Sequence, residues 1–130
     1  MKTFLVIILI SLSSFVQSAP LRITITEGVI QPLPYAAPAF IGETGASNEL
    51  ADKITELVKN DLLSTGLFRE VPKSSYISGV NNFNSPIQYS DWKAIKVQAL
   101  LTGSVLVAGE NLSVKFRLYD VFSNNELGKG

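Results

Sequence analysis

SNELADKITELVKNDLLSTGLF, running from Ser47 to Phe68, reads as one amphipathic helix with both ends marked. Ser47 or Asn48 offers a side-chain acceptor to the first free amides, and Glu49 puts negative charge at the positive end of the helix dipole. Leu50, Ile54, Leu57, Val58 and Leu62 recur at helical spacing, with Lys53, Glu56, Lys59 and Asn60 turned away. Gly66 suits the left-handed residue that ends a helix, with Leu62 and Leu67 at the positions that touch in a Schellman cap. Asp61 breaks the pattern. On a helical wheel it lies inside the apolar stripe and near the negative end of the dipole, so it needs compensation. A neighbouring loop's amides would supply that at the edge of a core, and an acid in a pocket is the alternative.

Composition narrows the chemistry. The 130 residues include no cysteine and no histidine, and 11 basic side chains balance 11 acidic ones. Metal sites built on Cys or His, Ser-His-Asp and cysteine nucleophile systems, and thiol redox chemistry all lack their residues. Zero formal charge without a Lys/Arg cluster argues against nucleic acid, whose binding rests on neutralised phosphates. Met1 to Ala19 reads as an export signal: Lys2, then the apolar run Phe4–Leu12, then Ser13, Ser14, Gln17 and Ser18. That run is too short for the ~20 residues of a membrane span. Cleavage after Ser18 makes residues 1–18 a signal peptide and leaves 19–130 as one small domain, an uncleaved anchor being the alternative.

Leu21–Thr26 alternates apolar and polar residues and reads as an edge strand ended by Glu27-Gly28. A strand beside a free terminus is also suited to leave its sheet and pair with another protein's. Pro32, Pro34 and Pro38 make Gln31–Ile41 an extended connector, with a short edge strand over Ala36–Phe40. A proline-rich ligand motif is the alternative reading of that segment. Gly42–Ala46 leads into the helix, and Leu67–Val71 is extended up to Pro72. Lys73–Ser90 reads as a long polar surface loop, and Asp91–Ile95 as a short helix capped by Ser90 or Asp91 and anchored by Trp92.

Ala99–Val107 is apolar on both sides and interrupted by Gly103, which predicts a central strand. Leu112–Val121 alternates, with Leu112, Val114, Phe116 and Leu118 on the expected core face, and Gly109-Glu110-Asn111 joins the two as a hairpin. Asp120 suits bonding to the turn that follows. Glu126-Leu127 can begin a further strand, after which Gly128-Lys129-Gly130 carries no terminating element, an ending that reads as a truncation with the C-terminal part of the domain missing. The expected fold is mixed α/β (α+β): a small mixed β-sheet, two helices packed on one face and a C-terminal hairpin.

The order of these motifs resembles the TolB amino-terminal family, periplasmic components of the Tol-Pal system. The resemblance is carried by Leu-Arg-Ile-Thr-Ile-Thr-Glu-Gly-Val from Leu21, the helix end Asn60-Asp61-Leu62 through Ser64-Thr65-Gly66-Leu67-Phe68, Trp92, Ala99-Leu-Leu-Thr-Gly-Ser-Val, and Val114–Val121. It implies a periplasmic, non-enzymatic interaction domain without cofactor or metal, acting in outer-membrane integrity, cell division and protein import. It also implies that Leu21, Arg22, Ile23, Thr24, Ile25, Thr26, Glu27, Gly28 and Val29 contact the C-terminal domain of TolA. Pal, bound in that family by a six-bladed propeller, is a partner only where a propeller follows. Two other classes compete. Outer-membrane modules of the curli-secretion or penicillin-binding-protein-activator type share strands like Leu-Leu-Thr-Gly-Ser-Val and Leu-Tyr-Asp-Val, yet carry a lipidated cysteine. A hydrolase would have to use Asp52, Asp61, Asp91 or Asp120, none with a base or nucleophile paired in sequence.

Overall fold

The computed structural model describes residues 21–130; the expected signal peptide lies outside them. The chain runs through β1 (Thr24–Thr26), β2 (Val29–Gln31), β3 (Leu33–Ala36), β4 (Ile41–Gly42), α1 (Asn48–Ser64), β5 (Phe68–Glu70), α2 (Tyr89–Ala94), β6 (Ala99–Ala108), β7 (Asn111–Asp120) and β8 (Asn125–Lys129). One sheet has the order β5-β3-β6-β7-β8, with β4 also on β6, and β1-β2 form a separate two-stranded sheet. Strands β3 and β4 run parallel to β6, while β7 and β8 return antiparallel. The mixed α+β sheet, the long helix and the C-terminal strands are as the sequence predicts.

β6 is the hub because its side chains serve two cores. Leu100 and Leu101 point to opposite faces, as do their cross-strand partners Tyr119 and Leu118. On one face, Leu33, Tyr35 and Ala99 pack with Leu62 and Phe68, and Phe40 and Val105 pack with Ala51 and Ile54 of α1. On the other face Trp92 of α2, only 1% exposed, packs with Ala36, Val71, Leu100 and Tyr119. The two helices therefore lie on opposite faces rather than one. The reason lies in the loop before α2, which sequence alone made purely polar: Tyr76, Val80 and Ile87 pack around Trp92 and complete that second layer. Tyr76 meets Trp92 edge to face at 4.9 Å.

Several local expectations change. The proline-bearing strand is interior, not edge, and runs Leu33–Ala36 rather than Ala36–Phe40. Leu33 donates to Leu67 O at 2.9 Å on one side, whereas on the other Pro34 need only accept, from Gln98 N–H at 2.9 Å. Neither Ser47 nor Asn48 caps α1. The Ser47 hydroxyl instead meets Thr44 Oγ1 at 2.7 Å and accepts the Val107 N–H at 3.0 Å, tying the helix start to β6. At the far end Gly66 is left-handed at φ 71° and donates to Leu63 O, while Leu67 N–H bonds to Thr65 Oγ1 instead of completing the Schellman pair. Helix α2 has no side-chain cap from Ser90 or Asp91.

The buried line of α1 runs through Ala51 and Thr55, whose hydroxyl accepts Phe40 N–H at 2.8 Å. That line leaves Leu57 exposed on the far side and Asp61 in solvent, so Asp61 needs no compensation. Leu112, Val114 and Phe116 are exposed although they share the α1 face, because they lie along β7 beyond the helix. Residues 125–129 do form a strand, β8, and just past it Phe116 and Gly130 exchange two backbone bonds. Among the described residues no helix is long and apolar enough to cross a membrane.

Candidate functional site

The nine residues singled out from Leu21 to Val29 do not form one strand of the main sheet. They divide between an anchored part and a free part. Leu21 and Ile23 are half-buried and close over a cavity of about 340 Å³ on the α1 face, lined by Tyr35, Leu62, Phe68 and Leu118 among others. The lining is almost wholly apolar, so two aliphatic side chains are held there by removal from water rather than by directed bonds. Arg22 points to solvent between them.

After Ile23 the chain becomes β1, which pairs only with β2: Thr24 with Gln31, Ile25 with Ile30, Thr26 with Val29. Glu27 and Gly28 form the turn, both left-handed at φ 53° and 77°. Two such residues in succession make a type I′ turn, whose twist matches that of the flanking strands. Glu27-Gly28 thus does more than end a strand; it reverses the chain, and Ile30 and Gln31, beyond the expected segment, belong to the same unit. The signal for this was present as a two-residue loop with glycine second, flanked by Ile-Thr and Val-Ile.

A cluster of ionisable groups braces the wall of the cavity. Lys59 Nζ bonds Glu70 Oε1 at 2.8 Å and Glu56 Oε1 at 3.2 Å, linking α1 to β5. The Glu70 carboxylate is the main cause that holds the Lys59 ammonium above its usual pKa. The Tyr35 hydroxyl lies 3.5 Å from Lys59 O, and burial, aided by Glu70, pushes it up to about 12. Burial likewise raises Tyr76. Lys59 and Glu70 thereby hold the helix against the strand.

The four aspartates considered for hydrolysis stand apart in role. Asp52 and Asp61 are exposed, Asp91 is half-buried in α2, and Asp120 is buried with its Oδ1 accepting Phe122 N–H at 3.0 Å and Ser123 N–H at 3.3 Å, as its position before the turn predicts. Among the described residues no three His, Cys, Asp or Glu side chains are grouped to hold a metal ion.

Comparison with known proteins gives this architecture a lineage. The family described as "TolB amino-terminal domain" matches residues 21–127. The chain is 55% identical over 114 residues to the Tol-Pal system protein TolB of Cereibacter sphaeroides, covering 88% of this chain and 26% of that protein. To the protein of the same name from Roseobacter denitrificans it is 57% identical over 113 residues, again 26% of that protein. The chain thus spans about a quarter of the length of these relatives. Among solved structures, TolB from Acinetobacter baumannii superposes with a TM-score of 0.61 at 25% identity, over 77% of this chain and 22% of that one. The LpoB C-terminal domain from Escherichia coli superposes at 0.58 with 18% identity, over 81% and 84%, a likeness of fold alone. The chain belongs to the TolB amino-terminal domain family.

Proposed function

We propose that this chain is a non-enzymatic protein-interaction domain of the Tol-Pal system, exported to the periplasm by a signal peptide cut after Ser18 so that residues 19–130 form one domain. In that role its N-terminal arm, Leu21, Arg22, Ile23, Thr24, Ile25, Thr26, Glu27, Gly28 and Val29, binds the C-terminal domain of TolA by strand addition and supports outer-membrane integrity and envelope invagination at division. The observation that carries this reading is that the arm stands outside the six-stranded sheet, so its backbone can pair elsewhere without the domain unfolding. Family membership supports the system, and the arm's geometry supports the mode of binding. Pal is a partner only where a propeller follows this domain.

The test is deletion of Ala19–Val29 followed by calorimetric titration with the TolA C-terminal domain. Loss of measurable binding, with the circular dichroism of the six-stranded sheet retained, is expected. Affinity equal to that of the whole chain would overturn the assignment.

A further inference from the structure

On the α2 face, opposite the cavity, one groove gathers positive charge. Lys115 and Arg117 stand two residues apart on β7, on the side that carries Tyr119, and Lys129 of β8 is the direct cross-strand partner of Arg117. With Phe83 and Asn84 of the loop before α2 they line an open groove of about 360 Å³, and no residue lining it is acidic. No run of basic residues marks it in the sequence, because two strands and a loop each supply a part. Like charges directly opposite one another weaken a ladder, so the Arg117–Lys129 pair costs the free chain stability.

The partners these cations do have are loosely held. Lys115 Nζ lies 3.5 Å from Glu43 Oε1 and Arg117 Nε lies 3.8 Å from Glu126 Oε2, both beyond the ~2.7–2.9 Å of a charge-assisted bond. Lys129 makes no ion pair among the described residues. In the same cross-strand row, among the described residues, the buried Arg117 Nε and the hydroxyl of Thr102, which is 2% exposed, have no hydrogen-bond partner. Buried polar groups are nearly always bonded, so two orphans in one row call for a cause. Arg117 is nonetheless aimed: its Cζ lies 4.6 Å from the centroid of the Phe83 ring, and its Nη2 donates to Asn84 Oδ1 at 3.1 Å. The guanidinium fork is thus set before any ligand arrives.

We propose that this groove binds an acidic peptide segment in extended conformation, with carboxylates on alternate residues. Lys115 and Arg117 are roughly 6.8 Å apart along the strand, the spacing of alternate side chains in an extended peptide laid beside it. One carboxylate then meets Lys115, and the next sits between Arg117 and Lys129, whose like charges it neutralises. A single small anion would use half of this arrangement. A flat lipid surface would not reach Arg117, whose side chain is only 23% exposed. The groove and the arm lie on opposite faces of the sheet, so the proposal does not depend on what the arm binds.

Fluorescence anisotropy of the full chain with a short labelled peptide alternating glutamate and threonine tests this, against a peptide of the same composition with its glutamates in one block. The alternating peptide should bind about tenfold more tightly than the block peptide, and less tightly as salt is added. Lys129→Gln should weaken that binding about tenfold, the loss of one charge-assisted bond, and should raise the melting temperature of the free chain. Arg117→Gln should weaken it at least as much. Because Arg117 also holds Asn84, the exposed Lys129 decides the matter if that variant loosens the loop. Lys53→Gln, at an exposed cation on α1, should leave binding unchanged. Unchanged binding in Lys129→Gln would overturn the proposal, as would no binding of the alternating peptide at low salt. Equal affinity for the block peptide or for tripolyphosphate would overturn it too, since the groove would then read charge without spacing.

Discussion

Gly103 shows how one residue type is dictated by a neighbour that sequence does not place beside it. The ring of Phe40 lies over Gly103, and a Cβ there would run into it. Gly103→Ala should cost about 1–3 kcal/mol, the usual range for overpacking a filled core, read as a lower urea midpoint at unchanged slope. The side chains that titrate around Lys59 and Glu70 predict an alkaline limit. Tyr35, Tyr76 and Lys59 all hold their protons more tightly in the folded chain than free in water. Their contribution is complete below the unfolded tyrosine value of 10.0 and is lost as pH rises toward the folded Tyr35 value of about 12. The melting temperature should fall across that window, and Tyr35→Phe should make the fall shallower. Asp120 was readable from sequence because its partners are two and three residues away. Asp61 was not, because the phase of α1 is set by Ala51 and Thr55 rather than by its largest apolar side chains, and a wheel weighted by Leu57 turns the helix too far.

At the level of elements, α1 and the β6–β7 hairpin were legible because each repeats one period for long enough to exclude the other. The interior position of β3 was not, since a proline forbids only the donor at its own nitrogen, and which neighbour that nitrogen faces is a property of the sheet. The same limit hid the second face. Helix α2 has six residues and no side-chain cap, so its stability comes from Trp92 and the loop residues around it. Trp92→Ala should therefore cost about 3–5 kcal/mol and release Tyr76, seen as loss of near-ultraviolet dichroism before the far-ultraviolet signal goes. The β1-β2 hairpin offers the opposite experiment. Glu27 occupies a left-handed turn position that asparagine fills more readily, so Glu27→Asn should raise the hairpin population by a few tenths of a kcal/mol, measured from cross-strand amide exchange at Thr26 and Val29.

For the molecule as a whole, the question is whether the arm is part of the fold or a guest on it. All three buried clusters beneath the sheet faces are closed by residues from Leu33 onward, and only the partly buried rim of one includes Leu21 and Ile23. Half-burying a leucine and an isoleucine is worth about 1 kcal/mol each, from the usual 1.5–3 for full burial of such a side chain. A chain beginning at Thr24 should therefore still unfold in one cooperative step, with a loss on the order of 2 kcal/mol and a melting temperature lower by roughly 8–16 °C. Its cavity, walled by Leu62, Phe68 and Leu118 and no longer closed over by Leu21 and Ile23, should bind an apolar dye more tightly than the full chain does. If the shortened chain instead loses cooperativity, the arm is a structural member, and no partner could draw it away without unfolding the domain. If dye binding strengthens with the fold intact, the seat and the domain are separable, and the strength of the arm's attachment can be tuned at Leu62 or Leu118 without touching the hairpin.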